Sequence, residues 1–241
     1  TRLNLQGTLG EKLELGLFAT RLRDLDPIIA MVAGKPDFEL PVKLNNGEAR
    51  VDAVLEGPLN AVRIRGSAAM TNVMFQEILF PRAETRFELS REELRLQGLT
   101  VAMQKARGTG DLRLGLRDYE VHQDSPLSGT LALSNGDVEE IARLAHLTAP
   151  VSGAMEGTVV AGGTLGMPTG QVSFTLANAA WGQEKFSRIA GQVSLDARGE
   201  LRGGLNVEQT RIDLSGTYRH QPADFRSRSE EHTSELQSHH D

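Results

Sequence analysis

Residues 172–176 read Val-Ser-Phe-Thr-Leu, and this alternation of apolar and small polar residues decides the fold class. Alternation with a period of two places one residue type on each face of a β-strand. The same pattern returns at residues 112–116 and 87–89 and in shorter runs along the chain, separated by Gly, Asn, Asp or Pro. The sequence therefore predicts an all-β protein of about a dozen or more strands.

Composition argues against several classes of protein. The 241 residues include 26 Lys and Arg, 32 Asp and Glu and no Cys, and the net charge is −6. A chain without Cys has no disulfide scaffold and no Cys-based zinc site. An acidic chain without a run of basic residues is not expected to bind nucleic acid. The most apolar run, Pro27–Gly34, is far shorter than the roughly 20 residues of a membrane helix.

Two short segments interrupt the alternation and predict helices. One helix is expected over Pro27–Val32, near residues 26–33, with Asp26 as its cap. The other is expected over Val138–Leu147, near residues 137–147, because Asp137 precedes it at the capping position. Each helix has about three turns or fewer, so strands remain the dominant element.

The chain also repeats itself after 106 residues. With that shift, residues 47–113 match at 14 positions, where unrelated sequences match at about 4. The matched pairs include Gly57/Gly163, Asn72/Asn178, Leu89/Leu195 and Leu99/Leu205. We therefore predict two like segments, residues 1–117 and 118–227, each with one helix. A repeated module favours an array over an enzyme with one unique pocket.

No group of residues in the sequence indicates catalysis, so we expect no enzyme, no cofactor and no metal site. The Gly-rich segment at Gly162–Gly166 precedes a strand, whereas a dinucleotide fingerprint needs a helix there. His122-Gln123-Asp124-Ser125 contains the residue types of a catalytic triad. A triad takes its members from separate elements, so these neighbours are expected to form an ordinary loop.

The apolar stripe has two interpretations. It is either the core between the sheets of a sandwich or barrel, or the lining of an open groove that contacts an apolar ligand. In the groove interpretation the two helices pack at the ends or the rim. The expected lining residues are Leu99, Val101, Leu112, Leu114, Val172, Phe174, Leu176, Val193, Leu195, Leu205 and Val207.

Residues 148–195 resemble the repeat segments of the AsmA-like superfamily, in its TamB-like (translocation and assembly module) branch. The shared cues are Pro-Val-x-Gly at residues 150–153, Gly-Thr-Leu at 163–165, and Gly-x-Val-x-Phe-x-Leu-x-Asn-Ala at 170–179. Residues 40–89 carry the same pattern more weakly, with Gly57-Pro58-Leu59 in place of Gly-Thr-Leu. The resemblance extends over most of the chain, to about Tyr218.

This resemblance implies an elongated, strongly curved antiparallel sheet, a repeating β-groove, with an apolar interior. It further implies a segment of a periplasmic protein of a diderm bacterium, anchored in the inner membrane through a part that this sequence lacks. The implied function is transfer of phospholipid between the inner and outer membranes, and the implied ligands are phospholipid acyl chains.

Two alternatives to lipid transfer stay open from the sequence. One is a scaffold for outer-membrane protein or autotransporter assembly, with the outer-membrane assembly machinery as partner and sheet edges that capture strands. The other is a structural β-solenoid or sandwich segment of a surface protein, in which the stripe is only core.

The C-terminal residues differ from everything before them. Residues 228–238 read RSEEHTSELQS, which resembles the translation of a sequencing adapter. We therefore expect residues 228–241 to form a non-native, disordered tail outside the fold.

Overall fold

The chain folds into a single antiparallel sheet, which a computed structural model describes for residues 1–25, 42–58, 60–75, 78–144 and 151–218. The strands in these ranges are β1 (Arg2–Thr8), β2 (Lys12–Ala19), β3 (Val42–Leu44), β4 (Ala49–Glu56), β5 (Arg63–Phe75), β6 (Ile78–Leu89), β7 (Glu93–Ala102), β8 (Arg107–Gly115), β9 (Leu127–Asp137), β10 (Val151–Gly163), β11 (Pro168–Trp181), β12 (Glu184–Leu195), β13 (Glu200–Val207) and β14 (Thr210–Thr217). A 3-10 helix covers Leu22–Leu25, and helix α1 covers Val138–Leu144.

The strands follow one another in the sheet almost in chain order. The path runs β1-β2-β4-β5 and then consecutively to β14, while β3 pairs with the end of β5 beside β4. Every described pairing is antiparallel, and β1 and β14 are the two open edges. The predicted all-β, open and curved antiparallel sheet is thus confirmed. The sandwich and solenoid architectures are wrong for the described residues, which form one sheet without a second layer.

The predicted helices have different outcomes. The predicted helix at Pro27–Val32 lies outside the described residues. The helix predicted from Val138 is confirmed as α1 through Leu144, and the remaining predicted residues, 145–147, lie outside the described part. Asp137 caps α1 as expected, because its Oδ1 accepts a hydrogen bond from the Glu139 N–H at 3.1 Å.

The connections between strands define two long rims. One rim carries both helical elements and the short turns after β7, β11 and β13, and we call it the helix rim. The other carries the connections after β1, β4, β6, β8, β10 and β12, and we call it the turn rim. An antiparallel meander gives this arrangement because successive connections alternate between the two ends of the strands.

The 106-residue repeat reappears in the backbone. β6 and β12 begin and end 106 residues apart. Gly57 and Gly163 both have positive φ, 97° and 82°, and Asn72 and Asn178 have φ of 48° and 51°. Because residues 106 positions apart share this left-handed backbone conformation, the two segments bend in the same way. β8 pairs directly with β9, so the segments join into one continuous sheet.

The sheet bends toward one face at glycines. A Cβ at Gly110 of β8 would lie 3.0 Å from the Leu131 Cα of β9, and a Cβ at Gly203 of β13 would lie 2.9 Å from the Val193 Cα of β12. A real Cβ atom essentially never lies closer than 3.0 Å to a heavy atom outside its own chain neighbours. Only a residue without a side chain permits the closer approach, so these glycines mark places where the sheet curves.

Candidate functional site

The candidate site is one entire face of the sheet, which we call the apolar face. Residues that pair across neighbouring strands have their side chains on the same face. The register therefore defines a row with one residue from each strand on the path. This row consists of Leu5, Leu15, Ala53, Gly66, Phe87, Leu96, Leu112, Gly129, Ala161, Gly170, Leu195, Leu201 and Gly216. The row contains no polar side chain. It crosses 13 strands, and at a spacing of ~4.8 Å between neighbouring strands its length is about 58 Å.

Two further rows run beside the first in the second half of the sheet. One consists of Leu99, Gly110, Leu131, Val159, Val172, Val193, Gly203 and Leu214. The other consists of Val101, Gly108, Leu133, Gly157, Phe174, Gly191, Leu205 and Ile212. Both rows are also entirely apolar, so the face is a continuous apolar surface rather than a narrow line.

All eleven residues predicted to line a groove lie on this face. Leu114 pairs with Leu127, and Leu176 pairs with Ile189 and then Val207, so these members extend the rows toward the two rims. The register thus brings together residues from β7, β8, β11, β12 and β13. Their shared face is an observation, whereas their contact with lipid stays a prediction.

The prediction omitted most of the face in the first half. The residues that the prediction left out belong to strands with the same alternation and lie on the same apolar face. They are Leu3, Leu5, Leu13, Leu15, Leu17, Val51, Leu55, Ile64, Phe87, Leu89, Leu94 and Leu96. The alternation in β2, β4 and β6 was the signal for them, and extending the stripe through every alternating run would have included them.

A β-bulge keeps β7 on the apolar face throughout its length. Leu96 pairs with Leu112, whereas Leu99 pairs with Gly110, so one extra residue lies on β7 between the two pairs. Gly98 in this bulge has φ of 60°, and its N–H donates to Asp111 Oδ1 at 2.7 Å. In a strand of the same sequence without the bulge, regular alternation from Leu96 would place Gly98, Thr100 and Ala102 on this face, and Leu99 and Val101 on the opposite one.

Charged groups lie on the opposite face, which we call the polar face. There Arg113 Nε donates to Glu93 Oε1 at 2.7 Å, and Arg202 Nη2 donates to Glu200 Oε2 at 2.7 Å. Such exposed ion pairs contribute about 0–1 kcal/mol each. Their main effect is to keep this face hydrated, so the sheet separates an apolar side from an aqueous side.

The apolar face is only half covered by the protein itself. Val159 and Leu131, neighbours on the central strands, are 37% and 38% exposed. No large side chain in the described part of the chain is fully buried. Shielding comes from side chains of adjacent strands, as where the ring of Phe174 lies over Gly191. A half-shielded apolar surface of this length is available to an apolar ligand.

The helical elements close the helix rim. Val138 of α1 packs against the buried cluster of Leu176, Ala179 and Ile189. At the other end of the sheet, Leu22 of the 3-10 helix packs with Ala19 and Ala49. Each of the two is a cluster of buried apolar residues. Of the two predicted helices, α1 lies in the described residues and is at the helix rim.

A loop runs along the turn rim and ties the two halves together. This rim loop covers residues 116–126 between β8 and β9. Its Tyr119 Oη donates to the Val62 carbonyl at 2.7 Å, before β5. Its Gln123 carbonyl accepts from the Gly166 N–H at 2.6 Å, before β11. The loop therefore fixes the spacing of connections that belong to different repeats.

The polar face is concave in its second half. A depression of about 920 Å³ lies over β9–β14 and is lined by polar side chains, among them Thr158, Ser173, Gln192 and Asn206. A twisted sheet is saddle-shaped, so each face is concave in one direction. Its lining also includes the charged Glu156, Arg202 and Arg211 and the apolar Leu133 and Phe174. Because polar and charged residues predominate in it and it is wide open, it suits an apolar ligand less well than the apolar face does.

The histidine loop is structural rather than catalytic in its geometry. Ser125 is buried, and its Oγ accepts a hydrogen bond from the His122 N–H at 2.9 Å. Asp124 forms an ion pair with Arg117. The hydroxyl and the carboxylate thus stabilise the loop and do not face the imidazole in the order that a triad requires.

Metal sites and membrane helices are both absent from the described residues. These residues contain no cluster of three or more His, Asp or Glu side chains that could hold a metal ion. No helix among them has the length and apolar character needed to cross a membrane.

Comparison with protein-family models, curated proteins and solved structures found no match to this chain.

Proposed function

We propose that this protein binds the acyl chains of phospholipids along its apolar face and carries them between the inner and outer membranes of a diderm bacterium. The observation that supports the proposal is the row of 13 residues without a polar side chain, on a face that no second layer covers in the described residues. The resemblance to TamB-like repeats supports the periplasm as the location and phospholipid as the ligand.

The energetics of lipid transfer explain why such a face is useful. A two-chain lipid exposes about 30 methylene groups when it leaves a membrane, at ~0.8 kcal/mol each, which is more than 20 kcal/mol. A continuous apolar surface keeps most of these groups away from water at every position along the path. Such a surface needs no catalytic group and little side-chain specificity, which agrees with the varied aliphatic residues of the rows.

Lipid extraction from the purified protein tests the proposal. The protein is purified from a bacterial host, and bound lipids are identified by mass spectrometry beside two variants, Phe174→Asp and Ser173→Asp. These neighbours lie on opposite faces of β11. We expect phospholipid with the native protein and with Ser173→Asp, and much less with Phe174→Asp. Circular dichroism establishes that each variant retains its β-structure. No lipid with any folded form would refute the proposal.

A further inference from the structure

The two repeats differ in the charge of the polar face. Strands β4, β5 and β6 correspond, 106 residues later, to β10, β11 and β12, and their residues face one another in the same register. The first three strands contain nine charged residues, all on the polar face. At seven of the nine matching positions the second repeat has an uncharged residue, as in the pairs Asp52/Thr158, Arg65/Gln171 and Arg86/Gln192. Glu156 and Arg188 are the two that keep a charge.

This replacement creates a neutral, hydrogen-bonding surface in the depression of the polar face. Thr158, Ser173 and Gln192 face one another across β10–β12, and Asn206 of β13 lies beside this row. All four residues are exposed, and their side chains have no hydrogen-bond partner within the part of the chain that the structure describes. Solvent-facing surfaces normally carry mixed charges, as the first repeat does. Since the fold is the same in both repeats, the neutral surface indicates contact with a ligand.

The residues of the depression favour an uncharged ligand that is rich in hydroxyl groups. Hydroxyl and amide side chains both donate and accept hydrogen bonds, as the hydroxyl groups of a sugar do. The two arginines that line the depression already bond to carboxylates, Arg202 to Glu200 at 2.7 Å and Arg211 to Asp213 at 3.0 Å. Glu156 in the same lining accepts hydrogen bonds from hydroxyl groups but repels an anion.

A protein partner fits the depression less well than a sugar. The cores of protein interfaces are enriched in aromatic residues. The aromatic residue in this lining, Phe174, has its side chain on the apolar face. The volume of about 920 Å³ is in the range of ligand clefts, and the open shape accepts a chain that continues beyond the depression.

We propose that the polar face of the second repeat binds a linear, uncharged oligosaccharide across β10–β13. Thr158, Ser173, Gln192 and Asn206 bond to its hydroxyl groups. Because this surface and the apolar face lie on opposite sides of the sheet, binding here attaches the protein to a polysaccharide and leaves the apolar face open.

Isothermal titration calorimetry of the full chain tests the proposal with three uncharged hexasaccharides of different structure. They are cellohexaose, maltohexaose and hexa-N-acetylchitohexaose. We expect saturable binding of at least one of them with a Kd of about 1 mM or lower. Hexagalacturonate, which carries a carboxylate on every ring, is the charged control and should bind much more weakly.

Matched double variants connect the binding to the depression. Ser173→Ala/Gln192→Ala removes two side chains of the proposed site, and Ser67→Ala/Arg86→Ala changes the matching positions of the first repeat. We expect the first to weaken binding about tenfold or more, because two hydrogen bonds to the sugar are lost. The second should leave the Kd within about twofold of the native value, because its positions lie outside the depression. Circular dichroism establishes that both variants retain their β-structure.

Three results would overturn the proposal. They are no binding of any uncharged hexasaccharide, equal binding of hexagalacturonate, and equal weakening by the two double variants. Self-association that Ser173→Ala/Gln192→Ala abolishes, without sugar binding, would also overturn it, because the occupant would then be a second copy. Lipid extraction from Ser173→Ala/Gln192→Ala is measured in parallel and should match that from the native protein, since both residues lie on the polar face. The two proposals therefore fail independently.

Discussion

Val159 and Val160 of β10 form a matched pair for testing the apolar face. They are neighbours of the same type on one strand and are 37% and 48% exposed. Val159 pairs with Leu131 and Val172 on the apolar face, whereas Val160 pairs with Thr130 and Gln171 on the polar face. A change to Asp at either position adds one negative charge to the same strand. The two variants therefore differ mainly in the face that receives the carboxylate.

The magnitude follows from the exposure of Val159. Complete burial of a valine stabilises by roughly 1.5–3 kcal/mol, so a ligand that covers its exposed 37% gains about 0.5–1 kcal/mol there. A carboxylate that the ligand covers without a hydrogen-bond partner adds a cost of about 1–3 kcal/mol or more. The sum is about 1.5–4 kcal/mol, which weakens binding roughly 10- to 700-fold at 1.4 kcal/mol per factor of ten.

A fluorescent fatty acid titrated into each protein measures this difference. We expect Val159→Asp to bind at least roughly tenfold more weakly than the native protein, and Val160→Asp to bind within about threefold of it. Urea denaturation of both variants shows whether their folding stabilities match. Equal affinities for the two folded variants, or weaker binding by Val160→Asp, would refute the assignment of the ligand to the apolar face.

Three further changes test the structure that supports this face. Gly98→Ala should lower the free energy of unfolding by about 1–2 kcal/mol, because φ at Gly98 is 60°, whereas Gly16→Ala should change it by less than about 0.5 kcal/mol in the same urea titration. Gly110→Val should cost about 2 kcal/mol or more by the same measurement, since its Cβ would press on the β9 backbone; a native-like midpoint would contradict the bend described there. Hydrogen bonds from the N–H groups of Glu200 and Arg198 lower the pKa of Asp196. Its contribution is therefore present above the ordinary carboxyl pKa of about 4 and is lost as the pH falls through the lowered value, so Asp196→Asn should lose less stability between pH 6 and pH 3 than the native protein does.

The structural features that depend on local periodicity could be predicted from the sequence. Alternation at residues 172–176 and in similar runs identified strands with one apolar face, because side chains in a strand alternate regardless of what surrounds it. Asp137 predicted the start of α1, since capping is decided within one turn of helix. The 106-residue repeat matched Asn72 with Asn178, and the structure gives both a positive φ.

Features that depend on pairing could not be predicted in the same way. The sequence did not show that Leu96 and Leu99 share a face, because the alternation changes phase at Gly98 and only the register with β8 shows a bulge. Whether the stripe was closed or open depended on the presence of a second layer, which is a property of tertiary packing. The contacts of the rim loop, such as that of Tyr119 with Val62, join residues 57 positions apart and have no local signal.

Photo-cross-linking is the most direct test of the central claim that acyl chains lie along the apolar face. A phospholipid with a diazirine in its acyl chain is bound to the protein, activated by light, and the labelled residues are identified by mass spectrometry. We predict adducts at apolar-face residues of several strands, including Leu131, Val159 and Val172, and none at Thr158 or Ser173 of the polar face. Adducts concentrated on the polar face, or no adducts with folded protein, would contradict the claim.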